Sequence, residues 1–329
     1  MTDQPDQPGQ PDRRERAAEP GQAARHEHVT RHEHAAQAEQ AAEAELRPLW
    51  SDRLELGEGI RQVAGRIVLT DILSGRLLGA PEGVGQTLEL LARLPVPLGA
   101  VAPVAGRPGH WIGAAGTGVA LIGPDGGTDW LARPAEGAPV RSRMNDGAAD
   151  PEGRFWAGSM AYDATPDAGA LYRVDRDGAV HRVLDGITVP NGPAFTADGT
   201  AMYLADSARG LIRRYPLDPA SGELGEGTVF TALGGGSPDG MAIDEAGGLW
   251  CAVWGAAEVR RYLPDGTLDR VLTLPAAQPA GVCLGGPDGR SLFVTTARIG
   301  LTSPGPLDGA VFTARVGTPG LPVSCYRPL

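Results

Sequence analysis

From Trp50 onward, polar and apolar positions follow one another in blocks of fixed order. A glycine turn leads into a short apolar run: Gly65 opens GRIVLTD, Gly109 GHWIGAA, Gly153 GRFWAGS, Gly199 GTAMYLADS, Gly247 GGLWCAVW and Gly289 GRSLFVTT. These six glycines lie 42 to 48 residues apart. Each interval also holds a second extended run, often across an Asp-Gly turn, as in ALYRVDRDGAVHRVL and EVRRYLPDGTLDRVL, which is how antiparallel hairpins look in sequence. About 40–50 residues is the length of one four-stranded propeller blade. Residues 49–329 therefore read as an all-β, six-bladed β-propeller, its first and last units joined by strands from both chain ends. A β-sandwich or barrel of this size would have to repeat at one interval by chance.

Composition supports the turn-rich reading. Forty-eight glycines and 29 prolines stand beside only 21 % charged residues, and the 42 % hydrophobic content is enough for a core. The net charge of -11 leaves no basic stripe to release counterions from a nucleic acid, so a small or cationic partner fits better. Cys251, Cys283 and Cys325 lack the number and spacing of a disulfide framework or a metal cluster and read as free thiols in a reducing compartment. No run approaches the roughly 20 apolar residues of a membrane span, and none near the N-terminus resembles a signal peptide. A cytoplasmic protein, monomeric or a small homo-oligomer, is expected.

Residues 1–48 differ from the rest, being rich in Gln, Glu, Ala, Pro and Arg and almost free of large apolar side chains before Leu46. Such a segment buries too little surface to offset its ordering entropy and is expected to be disordered. His26, His28, His32 and His34 fall within it. They read as a solvated tail, because nothing there fixes ligand geometry.

Candidate chemistry follows from the repeat. Counting back seven or eight residues from the six glycines gives Glu58, Val101, Asn145, Asn191, Asp239 and Gly281. Equivalent positions of different blades face one central channel, so two carboxylates and two amides are expected to converge there. Hard divalent cations take such oxygen ligands. The alternative is that each residue caps its own turn, as Asn and Asp often do. Other motifs carry less. GGGSPDG at 234–240 lacks the lysine of a phosphate loop, no G-x-S-x-G elbow occurs, and His110 and His181 have no evident serine or cysteine partner. Asp206 and Ser207 end an apolar run and read either as support for the site or as a strand-end turn.

The ordered motifs LGEG at 56–59, RMNDGAADPEGRFWAGSM at 143–160, NGPAFTADGTAMYLADS at 191–207, SPDGMAIDEAGGLW at 237–250 and GGPDGRSLFVTTAR at 285–298 resemble those of the gluconolactonase, regucalcin (senescence marker protein) and luciferin-regenerating enzyme family. The resemblance implies a six-bladed propeller with one divalent metal ion in its channel and hydrolysis of sugar lactones. It implies that Glu58, Asn191 and Asp239 hold the metal, and that Arg143 and Asn145 contact the substrate. It also puts an acidic substrate-binding residue at Asp163. One departure is visible: the first motif commonly runs into proline and tryptophan, whereas Ile60 and Arg61 follow Gly59 here.

The expected reaction is metal-dependent opening of a small sugar lactone, with Ca, Zn, Mn or Mg as the cofactor and Asp239 orienting or deprotonating water. Two other readings use the same scaffold: a non-catalytic calcium-binding propeller, and an esterase or organophosphate hydrolase. No nucleic-acid or membrane partner is expected.

Overall fold

A computed structural model describes Met1, residues 45–81 and residues 87–329. The disordered-tail expectation, with its four histidines, concerns positions that lie outside the described residues until Glu45. From there the chain forms six four-stranded antiparallel sheets. Five are built in chain order. The sixth takes Pro279–Gly285, Ser291–Thr296 and Val311–Arg315 from the end of the chain and Arg47–Pro48 from its beginning. One sheet thus holds both ends, closing the ring without free edges between blades. No helix among the described residues is long and apolar enough to cross a membrane.

The apolar runs are the second strands of the blades, and their lack of alternation has a physical cause. Successive side chains of a strand point to opposite faces, and in this fold each face packs on a neighbouring blade. Phe155 and Trp156 are adjacent and both fully buried. Phe155 enters the core between the second and third blades with Ile112 and Tyr172, and Trp156 enters the core between the third and fourth with Phe195 and Met202. Leu249 and Trp250 divide in the same way between two interfaces. Each such side chain contributes roughly 1.5–3 kcal/mol on burial.

The six turn glycines join the innermost strand of each blade to the second. All lie at positive φ, between 68° and 89°, where a β-carbon is strained. Buried ion pairs fasten two of these hairpins. Asp150 accepts hydrogen bonds from Arg154 Nε (2.7 Å) and Trp156 Nε1 (2.9 Å), and Asp244 from Arg261 Nε (2.7 Å) and Trp250 Nε1 (2.9 Å). In both, tryptophan follows aspartate by six residues, so one device recurs two blades apart.

After the last strand the chain crosses the glycine-turn face. Gly320 N–H donates to Gly289 O and Leu321 N–H to Ile243 O, in the sixth and fifth blades. Further on, Tyr326 N–H donates to Pro103 O and Arg327 N–H to Gly153 O, in the second and third. Tyr326 is buried and its hydroxyl donates to Asp175 O. The C-terminal segment is therefore a strap across this end of the channel.

Candidate functional site

The innermost strands, Gly57–Val63, Leu98–Pro103, Ser142–Ala149, Pro190–Phe195, Ser237–Ile243 and Pro279–Gly285, share an irregularity. Each carries one extra residue against its second strand, between Glu58 and Arg61, Leu98 and Ala100, Met144 and Gly147, Asn191 and Ala194, Pro238 and Met241, and Pro279 and Gly281. Such a bulge breaks the alternation of faces and re-aims the side chains beside it. The acids and amides of the channel sit at these bulges. Asn145 and Asp146 would face opposite ways in a regular strand. Here both reach the fourth blade, Asn145 Nδ2 donating to Asn191 Oδ1 (2.9 Å) and Asp146 Oδ2 accepting from Gly192 N–H (2.9 Å).

A hydrogen-bonded chain runs across the third, fourth and fifth blades. Arg143 Nη1 donates to Asn145 Oδ1 (2.6 Å), and Asn145 Nδ2 also donates to Pro190 O (2.9 Å). Asn191 Nδ2 donates to Ser207 Oγ (2.8 Å), whose hydroxyl donates to Pro238 O beside Asp239. Asn145 thereby fixes Arg143 and Asn191 at once. The second blade makes room for this: a β-carbon on Gly99 would lie 1.9 Å from Asn145 O.

Glu58 and Asp239 are each 5 % exposed. Burial pushes both carboxyls well above the usual carboxylate range, and for Glu58 the charges of Asp239 and then Asp146 add to it. For Asp239, Asp146 adds likewise, while the Gly240 N–H, a hydrogen bond from Glu58 and the charge of Arg143 act in opposition. Each carboxyl still has one buried oxygen without a partner, Glu58 Oε2 and Asp239 Oδ1. Leaving a buried polar atom unsatisfied costs about 1–3 kcal/mol. Such orphan atoms mark a place where something else binds.

The donor set fits a hard divalent cation. Two carboxylates with free oxygens sit with Asn191, whose Oδ1 keeps a second lone pair after accepting from Asn145. No group of three His, Cys, Asp or Glu able to hold a metal occurs among the described residues; Glu58 and Asp239 would hold one only with a further oxygen, such as that of the Asn191 amide.

Arg143 is 7 % exposed and its Nη1 is engaged by Met144 O and Asn145 Oδ1. Burial lowers its pKa, opposed by Tyr162, Glu58 and Asp239. Its guanidinium carbon lies 5.9 Å from the ring centroid of Tyr162, and that of Arg141 lies 4.7 Å from it. Tyr162, 41 % exposed, forms an aromatic rim beside the site. Asp163 follows it in an exposed turn, where its Oδ1 accepts from Thr165 N–H (3.0 Å) and Oγ (2.6 Å); these hydrogen bonds hold its pKa down.

Two residues to which no role was given from sequence lie directly behind the cluster. Asp146 is 8 % exposed and accepts from Gly147 N–H (2.7 Å) as well as Gly192. Burial raises its pKa and the charge of Arg61 opposes this. Arg61 reaches across the channel, Nη2 donating to Gly147 O (2.8 Å) and Nε to Gly59 O (3.2 Å). Asp146 lies within the motif at 143–160, but only the bulge between Met144 and Gly147 turns it inward. The two readings of Asp206 and Ser207 divide: Ser207 joins the site chain, while Asp206 accepts from Thr188 and Val189 N–H at a strand end.

Comparison with known proteins agrees with this architecture. Residues 56–298 match the sequence profile of the SMP-30/Gluconolactonase/LRE-like region, and the chain belongs to that family. It is 35 % identical over 292 residues to a 6-deoxy-6-sulfogluconolactonase of Pseudomonas putida, covering 86 % of this chain and 93 % of that protein. A pentonolactonase of Haloferax volcanii is 37 % identical over 191 residues, covering 55 % of this chain and 65 % of that one. Among solved structures, a calcium-binding protein, regucalcin, from Agrobacterium tumefaciens superposes with a TM-score of 0.78 at 29 % identity, covering 87 % of this chain and 98 % of that one.

Proposed function

We propose that the protein is a divalent-cation-dependent hydrolase that opens sugar lactones at the Glu58–Asp239 cluster. The observation that carries this reading is the pair of buried, unpartnered oxygens on adjacent carboxyls, next to an arginine with unused donors. Sugar lactonases among the relatives support the same substrate class. A cation held by Glu58, Asn191 and Asp239 would supply Lewis-acid polarisation of the lactone carbonyl.

The chain's own groups do the rest. Asp239 orients water, takes its proton as the water attacks the carbonyl carbon, and returns it to the departing ring oxygen as the ester bond breaks. Arg143 presents Nε and Nη2 to the oxygens of the substrate, held by Asn145 so that little rotamer freedom is lost on binding. Asn145 positions both Arg143 and Asn191 and reads a substrate hydroxyl where the ring comes within reach. Tyr162 offers a flat apolar wall to one face of a sugar ring. Asp163 lies beside that wall and reads hydroxyls at the rim.

Hydrolysis of D-glucono-1,5-lactone and a panel of pentonolactones, followed by acid release with and without chelator, tests the proposal. Turnover that is lost with chelator and restored by a divalent cation is expected. Cation-induced stabilisation without turnover on any lactone favours instead a calcium-binding role, as in the regucalcin neighbour. Turnover that is indifferent to chelator removes the cation from the reading.

A further inference from the structure

The strap leaves space beneath it. A cavity of about 380 Å³ lies between the C-terminal segment and the inner strands of the first and the third to sixth blades. Phe195, Met241, Ile243, Val282 and Leu284 wall it, and Val323 of the strap roofs it. Its charged lining groups are Arg61 at the base and Arg327; no Asp or Glu lines it, although the chain carries a net charge of -11. Glu58 and Asp239 lie with Arg143 towards the other end of the channel, whereas the only charged groups lining this cavity are guanidinium groups.

Arg61 is placed to receive an anion. Two of its nitrogens are fixed on Gly147 O and Gly59 O, and Nη1 makes no hydrogen bond among the described residues. The acid whose charge acts on it, Asp146, gives its oxygens to the Gly147 and Gly192 N–H groups. A half-buried guanidinium in apolar surroundings gains more from a carboxylate than the same group in water, because the local dielectric is low. The volume falls within the range of small-molecule sites, which are typically apolar with a few fixed polar groups.

We propose that the cavity under the strap is a second binding site, taking a small organic monocarboxylate with an apolar body. Arg61, fixed at the base, matches one carboxylate, with Arg327 adding positive field from the strap, and the Phe195, Met241 and Val282 walls match an aromatic or branched aliphatic body. A polyol or a phosphate dianion would leave polar groups unpaired against these walls. The site is separate from the acid cluster and does not depend on the lactonase reading.

Benzoate and its neutral isostere benzamide are the probes, titrated calorimetrically up to about 10 mM, the range where weak affinities are still read. Benzoate is expected to bind at least about tenfold more tightly than benzamide, and Arg61→Gln to erase that preference. Val323→Trp, which fills the roof, is expected to abolish binding of both; its melting curve shows that it is folded. Absence of benzoate binding to the full chain overturns the proposal. So does benzoate binding that persists unchanged in folded Val323→Trp, and so does equal binding of the two probes. Chelator-sensitive lactone hydrolysis, measured on the same samples, reports on the other end of the channel, so failure of one reading is distinguishable from failure of the other.

Discussion

Asp239→Asn separates the two sides of the acid cluster. In the cation-free protein, Glu58 and Asp239 are both buried, the charge of Asp239 adds to the cost of ionising Glu58, that of Asp146 adds to the cost of ionising both, and each leaves one oxygen unpartnered. An asparagine keeps the shape and the bond from Gly240 N–H, removes one charge and adds an amide that can donate to Glu58. Relief of one unsatisfied buried group is worth about 1–3 kcal/mol, and in a domain of this size that is roughly 2–6 °C in melting temperature. With a divalent cation the order reverses, because wild type gains about 2.7 kcal/mol at a hundredfold excess over Kd and the variant loses a ligand.

The measurement is a set of melting curves at about pH 8, well above the ordinary carboxylate range, in chelator and in excess Ca, Mn, Mg or Zn. The expected pattern is a crossover, variant above wild type in chelator and below it with cation. Acidity gives an independent check. A carboxyl whose folded pKa is raised binds its proton more tightly in the folded state, so it favours folding below its unfolded pKa, and that contribution is lost as pH rises through the folded value. Cation-free wild type should therefore lose stability between mildly acidic and alkaline pH, and Asp239→Asn should lose less. If the variant is the less stable protein in chelator, or if cations stabilise both alike, the two carboxyls are not a paired cation site.

Other substitutions probe the frame and the substrate contacts. Asp244→Ala leaves Trp250 Nε1 and Arg261 Nε without an acceptor in the fifth blade, while Arg261 Nη1 keeps Asp269, and should cost about 1–3 kcal/mol in urea unfolding, leaving any lactonase activity of the remaining folded protein intact. Gly99→Ala forces a β-carbon against Asn145 O; a loss of about 1–3 kcal/mol is expected together with a fall in kcat, and unchanged kinetics would show that Asn145 is not held by this contact. Arg143→Lys keeps the charge but not the fork of donors, so kcat/KM on lactones should drop by roughly tenfold to a hundredfold, with cation-induced stabilisation preserved.

The repeat was legible because its determinants are local. A glycine at positive φ, a strand of apolar residues and a hairpin turn are each specified within a few positions, and their recurrence every 42 to 48 residues fixed the number of blades. The same hairpins pinned the register of the inner strands, so counting back from Gly65, Gly153, Gly199 and Gly247 reached Glu58, Asn145, Asn191 and Asp239, which the structure places in or beside the channel. The consecutive aromatic pair Phe155–Trp156 also announced a strand buried on both faces.

Sequence alone determined the class of fold, the number of units and four polar positions at one level of the channel. Tertiary structure decided which neighbours those positions acquire. Bulges bring Asp146 inward beside Asn145, which no period of two anticipates, and the span of the channel sets Arg61 of the first blade against Gly147 of the third. The strap joins Leu321 and Tyr326, five positions apart, to opposite sides of the ring. The reason is common to all three: an inward-facing group acquires its chemistry from blades distant in the chain, and the closure of the ring, which local pattern does not encode residue by residue, determines who meets whom.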